Sequence, residues 1–311
     1  MTCKDFLTFA ELNPEELKAL LKKAASLKKE LKRGHQKKLL EGKSVALIFE
    51  KPSTRTRISF EVGLFQLGAN PIVLNAAEMQ LGRGETIEDT GKVIARYCDA
   101  VVVRTYEQAK LETLAGASPI PVVNALSDSF HPCQALADLM TIQENKGTLA
   151  GLKIAYLGDG NNVLNSLLYA AATAGMEIAA ACPKVFSPDH KVVEKARAIA
   201  AGTGGSVQIM TDAMKAAKNA DVLYTDVWVS MGDEGERKQR MSALRPYRIE
   251  EEIVSVAKMD ALIMHCLPAH RGEEIEGEIL DGPNSVVLDQ AENRLHAQKA
   301  LMVSLLSKED I

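Results

Sequence analysis

Along this chain, short unbroken apolar runs alternate with longer stretches in which apolar residues recur every third or fourth position. The runs predict strands at 44–50, 71–75, 99–104 and 120–124, with helices between them at 53–66, 86–97 and 106–116. In the second half "KIAYLGD", "MEIAAAC", "SVQIM", "ADVLYTDVW", "ALIMHCLP" and "SVVLDQ" read as strands separated by helical stretches. A last helix follows at about 290–306. Continuous rather than alternating apolar runs mean strands buried on both faces, the pattern of parallel sheets covered by helices. The expected fold class is α/β, with two doubly wound parallel-sheet domains. Lys146-Gly147 to Gly151 interrupts the pattern and is the expected boundary. Near the N-terminus, Asn13-Pro14-Glu15-Glu16 combines a capping side chain, a proline at the first helical position and acids in the first turn.

A length of 311 residues suits two domains, and 46% hydrophobic with 25% charged residues is ordinary for globular cores. A net charge of −4 argues against generic nucleic-acid binding, so any anion site must be local. The lysines of "LKKAASLKKELKRGHQKK" lie opposite a helical apolar stripe and read as a solvated face. Five scattered cysteines (Cys3, Cys98, Cys133, Cys182, Cys266) suggest reduced thiols. No apolar run is long enough to span a membrane, and the start has no leader-like pattern. A cytoplasmic location is expected.

In doubly wound sheets, ligands gather at the carboxyl ends of strands, where this chain concentrates its unusual polar groups. "STRTR" supplies Ser53, Thr54, Arg55, Thr56 and Arg57 where a helix should start. The backbone N–H groups there, three hydroxyls and a guanidinium fork suit a phosphate or carboxylate. Arg55 is assigned to that anion. Arg57, two residues on and pointing elsewhere, is assigned to an ion pair. The alternative is a capped helix with surface arginines. Arg104 follows another strand. "HPCQ" adds His131, able to donate to an oxyanion, and Gln134, able to accept from an amide; alone such a motif is more often a structural turn.

"LGDGNNV" lacks the third glycine of a dinucleotide fingerprint and an acid after the next strand, so its asparagines suit a small carboxylate better. "DVWVSMG" places Asp226 at a strand end before a polar loop. It reads either as a surface loop or as a ligand-closing one that pairs with an ammonium group. "HCLP" puts Cys266 at a buried strand end. Zinc is disfavoured, because neighbouring strand residues point to opposite faces. A nucleophilic thiol, or one that only contacts substrate, stays open.

Taken in order and spacing, "STRTR", "HPCQ", "DVWVSMG" and "HCLP" resemble the ornithine members of the carbamoyltransferase family along the whole chain, through "AENRLHAQKAL". That resemblance implies a carbamoyl-phosphate-binding domain (1–146), an ornithine-binding domain (147–290), a C-terminal helix (291–311) packed back on the first, and a ligand cleft between the domains. It implies carbamoyl phosphate and L-ornithine as substrates, L-citrulline and phosphate as products, and a role in arginine biosynthesis. It further implies a homotrimer with shared active sites, and no cofactor, metal, nucleic acid or membrane. Carbamoyl phosphate would meet Ser53, Thr54, Arg55, Thr56, Gln80 (from a neighbouring subunit), Arg104, His131, Gln134, Cys266, Leu267 and Arg294. Of these, Arg104, His131, Cys266 and Arg294 would be catalytic. Ornithine would meet Asn162, Asp226, Ser230 and Met231. The rival readings are a carbamoyltransferase for putrescine or aspartate, a nucleotide-dependent dehydrogenase and a catalytically silent binding protein.

Overall fold

The structure, a computed structural model, describes residues 1–79, 84–229 and 234–307. It contains two compact units. The first comprises Met1–Met140 and the chain from Glu292 onward; the second is Thr141–Ala291.

The first unit holds a four-stranded sheet of β1 (Ser44–Phe49), β2 (Asn70–Asn75), β3 (Ala100–Arg104) and β4 (Val122–Leu126), in the order β2-β1-β3-β4. Every pairing is parallel. The sheet is filled as the apolar runs predict, with Val45, Ala46, Leu47, Val101 and Val122 all buried. The chain moves outward from β1 to β2 and then returns to the other side of β1 for β3. The switch point therefore lies between β1 and β3, where Phe49 is in register with Arg104. Arg104 in turn pairs with Leu126 of β4. Three adjacent strands thus deliver their following loops to one edge. The first helix, Pro14–Lys32, opens with a reciprocal capping box between Asn13 and Glu16.

The second unit holds β5 (Lys153–Leu157), β6 (Glu177–Ala181), β7 (Ser206–Met210), β8 (Val222–Thr225) and β9 (Leu262–His265), in the order β7-β6-β5-β8-β9. These strands are also all parallel. The switch point here lies between β5 and β8, so the glycine-rich turn after Leu157 sits beside the loop that begins at Asp226.

One expected strand is not a strand. "SVVLDQ" contributes only a single bridge, Ser285 to Ile263, and the helix Val287–Leu306 begins at its third residue. A three-residue apolar run cannot distinguish a strand from the first turn of a helix, and here the helical periodicity downstream extends back over it.

The glycines of "LGDGNN" have a packing explanation. Gly158 has a positive φ of 141°, and the Gly160 N–H donates to the Phe186 carbonyl at 2.8 Å. A Cβ on Gly160 would lie 2.3 Å from the Pro188 nitrogen and 2.5 Å from the Ser187 carbonyl carbon. Gly160 is required by close backbone approach, with no nucleotide involved. Gly160→Ala is expected to destabilise the protein by about 2 kcal/mol or more, since backbone rather than a flexible side chain must yield. Thermal unfolding tests this; a variant with an unchanged midpoint contradicts it.

Candidate active site

In the first unit, the helix Thr54–Gln66 starts directly after the loop that follows β1. Ser53 is its N-cap, its Oγ accepting from the Thr56 N–H at 3.3 Å. A helix start carries N–H groups with no acceptor of its own and the positive end of the dipole. Arg55 is exposed at this end, while Arg57 turns away and pairs with Glu61 at 3.0 Å, one turn along the helix. Thr56 is buried, and its Oγ1 accepts from the Arg294 guanidinium at 2.8 Å. That bond brings Arg294, on the helix Val287–Leu306, to the same strand ends.

Lys51, the first residue of the basic stretch, has a separate role. It is buried and ion-paired with Asp128, with its ammonium 4.0 Å from the centre of the Tyr106 ring. It ties the loop after β1 to the turn before His131.

His131 is buried immediately before the helix Pro132–Lys146. Burial holds its imidazole well below the ordinary histidine range, and the Arg294, Arg104 and Arg55 guanidiniums lower it further. The ring is therefore neutral, able to offer one N–H without adding to the positive charge. Gln134 is 1% exposed, and its Nε2 donates to Asp138 Oδ1 at 2.8 Å. This leaves Oε1 buried without a donor. A buried acceptor with no partner costs free energy unless a ligand N–H completes it. Asp138, fully buried one turn beyond Gln134, was not singled out from the sequence, although the i,i+4 spacing in "QALAD" was there to read. Cys133 in the same turn is wholly buried, and burial pushes its thiol up to about 12, as suits a packing residue.

In the second unit the centre is Asp226, 5% exposed at the end of β8. Its Oδ2 accepts from Asn161 Nδ2 at 2.8 Å, and its Oδ1 from the Cys266 thiol at 2.9 Å. Asn161 also caps the helix Asn162–Thr173, its Oδ1 accepting from the N–H groups of Val163 and Leu164 at 3.0 and 3.2 Å. The buried Tyr156 hydroxyl donates to the same Oδ1 at 3.3 Å. Of the two adjacent asparagines, Asn161 is thus the internal strut across the switch point. Asn162, half-buried at the first helical position, is the one whose place suits a ligand.

Cys266 and Leu267 follow β9, and Leu267 adopts the left-handed backbone conformation at φ 56°. For a leucine this costs about 1–2 kcal/mol and needs external support. Support comes from His265, whose Nδ1 accepts the Leu267 N–H at 2.9 Å. Nε2 of the same ring lies 3.1 Å from Glu274 Oε1. Asp226, His265 and Cys266 present ligand-type atoms within 4.8 Å of one another. With both ring nitrogens of His265 engaged, that trio does not make a three-donor metal site.

The structure therefore brings together Ser53, Thr56, Arg104, His131, Gln134 and Arg294, with Arg55 beside them, in one unit. In the other it brings together Asn162, Asp226, Cys266 and Leu267. Gln80, Ser230 and Met231 lie outside the described residues.

Two buried histidines give the protein a predictable acid limb. His131 is depressed as described, and burial brings His296 down to about 4 despite its contact with Glu292. Each binds fewer protons folded than unfolded below the unfolded value near 6.5. Their contribution is complete above that pH and is lost as pH falls toward the folded values. Replacing His131 by Asn should reduce the loss of unfolding free energy between pH 6.5 and 5 by up to about 1.4 kcal/mol per pH unit. Denaturant unfolding at a series of pH values measures this, and identical slopes for the two proteins contradict it.

Comparison with known proteins gives a consistent result. The carbamoyl-P binding domain model of the aspartate/ornithine carbamoyltransferases matches residues 4–144, and their Asp/Orn binding domain model matches residues 150–305. An ornithine carbamoyltransferase of Methanoculleus marisnigri is 53% identical over 304 residues, covering 98% of this chain and 97% of that protein. The solved ornithine carbamoyltransferase of Pyrococcus furiosus superposes with a TM-score of 0.95 at 49% identity, over 99% of this chain and 98% of that one. An anabolic ornithine carbamoyltransferase from Campylobacter jejuni has a TM-score of 0.92 at 41% identity, over 97% and 99% of the two chains. With both domain models of one family matched and half its residues shared with near-full-length members, the chain belongs to the aspartate/ornithine carbamoyltransferase family.

Proposed function

We propose that this protein transfers the carbamoyl group of carbamoyl phosphate to the δ-amine of L-ornithine, giving L-citrulline and phosphate. The observation that carries the reading is the pairing of two demands at one sheet edge. Arg55, Arg104 and Arg294, grouped around a His131 already depressed by burial, call for a multiply charged anion, and the unpartnered Gln134 Oε1 calls for an N–H. Carbamoyl phosphate has both, a phosphate and a primary amide.

In this reading Ser53, Thr54, Arg55 and Thr56 hold the phosphate, and Arg104 spans phosphate and carbonyl oxygen. Neutral His131 donates to that oxygen, Gln134 accepts from the amide, and Arg294 with the Cys266–Leu267 segment completes the carbamoyl pocket. Gln80 reaches the site of a neighbouring subunit. Asn162, Asp226, Ser230 and Met231 bind ornithine. The δ-ammonium has an ordinary pKa near 10.4, so only about one molecule in two or three thousand is free amine at pH 7. Ornithine enters as that minor species, oriented by Asp226 and Cys266. The amine attacks the carbonyl carbon, its lone pair forms the new C–N bond, and the C–O bond to phosphate breaks. Phosphate leaves with that electron pair, and the amine proton is released. Charge grows on the carbonyl oxygen and on the leaving group, facing preorganised donors. No cofactor is required, because carbamoyl phosphate brings its own leaving group.

Relatives named anabolic support the biosynthetic direction. The protein acts as a trimer in the cytoplasm. Ile58, Val62 and Phe65, a stripe on the helix Thr54–Gln66 that is 54%, 38% and 69% exposed, support an oligomer that covers them. Among the described residues no helix is long and apolar enough to cross a membrane.

Citrulline formation assayed with ornithine, putrescine and aspartate side by side tests the reading; turnover of putrescine or aspartate in preference to ornithine overturns it. Arg104→Ala should lower kcat at least about a hundredfold, the usual worth of one oxyanion donor. Activity within about fivefold of wild type would remove Arg104 from its assigned role.

A further inference from the structure

His265 and Glu274 are both 0% exposed, and neither contacts substrate in the reading above. A charged or titratable pair sealed this completely is costly unless its bonds do something the fold or the site requires. The backbone N–H and both ring nitrogens of His265 have defined partners. Its backbone N–H donates to Gln290 Oε1 at 3.0 Å, and Gln290 Nε2 donates on to the Tyr224 hydroxyl at 3.1 Å. Its Nδ1 accepts the Leu267 N–H at 2.9 Å, and its Nε2 meets Glu274 Oε1 at 3.1 Å. Glu274 Oε1 also accepts the His270 N–H at 2.5 Å, which fixes the carboxylate from the far side of the turn.

These bonds determine the tautomer. Nδ1 can accept from a backbone N–H only if it carries a lone pair, so the ring proton is on Nε2 and is donated to Glu274. With the other tautomer, two N–H groups would face each other at Nδ1 and the Leu267 turn would lose its acceptor. Leu267 is one of two non-glycine residues with positive φ among the described residues. Its conformation sets the directions of the Cys266–Leu267 and Leu267–Pro268 peptide groups. The same short turn carries the Cys266 thiol that donates to Asp226.

We infer that His265 is a positioning residue for carbamoyl transfer. Glu274 fixes its proton on Nε2, and the Nδ1 lone pair then holds Leu267 in the left-handed turn that presents the Cys266–Leu267 backbone to the carbamoyl group. This rests on the proposed function, which places that segment in the carbamoyl pocket.

Two substitutions separate the ring's two bonds. His265→Asn keeps an amide near Nδ1 and so retains an acceptor for the Leu267 N–H, but loses the reach to Glu274. His265→Gln keeps the reach to Glu274 but withdraws the acceptor. Displacing a substrate-holding group by a fraction of an ångström to an ångström costs on the order of 10- to 100-fold in rate. His265→Gln should therefore lose about that much in kcat/KM for carbamoyl phosphate, with His265→Asn staying within about fivefold of wild type. The inference is overturned if His265→Gln retains wild-type kcat/KM, or if both folded variants are equally impaired. Nitrogen-15 NMR of histidine-labelled wild type supplies a second readout that needs no variant to fold. A protonated Nε2 and bare Nδ1 on His265 is expected, and a proton on Nδ1 overturns the inference. Wild-type protein that makes no citrulline overturns the function reading instead, and the tautomer still decides whether the ring can hold Leu267.

Discussion

Repulsion among guanidinium groups is the constraint that organises the first unit. Burial lowers the proton affinity of the His131 imidazole, and Arg294, Arg104 and Arg55 stand close enough to lower it further. Two neighbouring basic groups have defined partners. Lys51 is given to Asp128 and Tyr106, and Arg57 to Glu61. Arg294 donates to the Thr56 hydroxyl, which helps hold it at the strand ends. The parallel register does the rest, since Phe49, Arg104 and Leu126 lie side by side and the loops that follow them have nowhere else to go. An anion arriving there gains from charges whose assembly was already stabilised during folding.

The second unit solves the opposite problem. Its central group is a carboxylate, and the surrounding bonds are donors from neutral groups: an asparagine amide and a thiol. Neutral donors orient Asp226 without supplying the counter-charge, so the carboxylate remains available to a cationic or amine ligand. Tyr156 extends the same logic. Burial, followed by the nearby Asp226 and Asp159, pushes its hydroxyl well above the usual range, so it stays a donor to Asn161.

Much of this was legible in the sequence, for a physical reason. Strands buried on both faces leave unbroken apolar runs, and parallel topology sends the loops that follow them to one edge. Reading strand ends was therefore enough to collect Arg55, Arg104, His131, Gln134, Asp226 and Cys266. "SVVLDQ" misled because its apolar run is shorter than the period needed to tell strand from helix. The incomplete glycine pattern of "LGDGNN" argued against a dinucleotide, but the packing role of Gly160 was not legible, because its close approach to the Pro188 backbone depends on a chain reversal that no local pattern encodes. Asp138 and Glu274 are not legible in the sequence, and Asn161 reads there as a ligand contact rather than a strut, because each acts through another side chain. Their residue types are common, and only the fold shows what they touch. The "HC" pair of "HCLP" offers zinc-ligand residue types, but the two ring nitrogens of His265 are committed to Leu267 and Glu274.

Three of the orienting residues share complete burial, although Asn161 is only half-buried. Asp138, His265 and Glu274 are sealed at 0% exposure, while Arg55 is exposed and Cys266 and Leu267 are half-buried. Burial is what makes an orienter effective. In a low-dielectric interior a hydrogen bond is stronger, and an alternative rotamer would leave a polar atom unpaired, so the side chain has one state rather than several. The groups they orient span a wider range, since Gln134 is itself buried while Cys266 and Leu267 are half-buried. The polar chemistry of each unit therefore has an inner layer of sealed side chains that fixes the groups packed beside it. A substitution in the inner layer is expected to alter how precisely those groups are placed before it alters which groups are present.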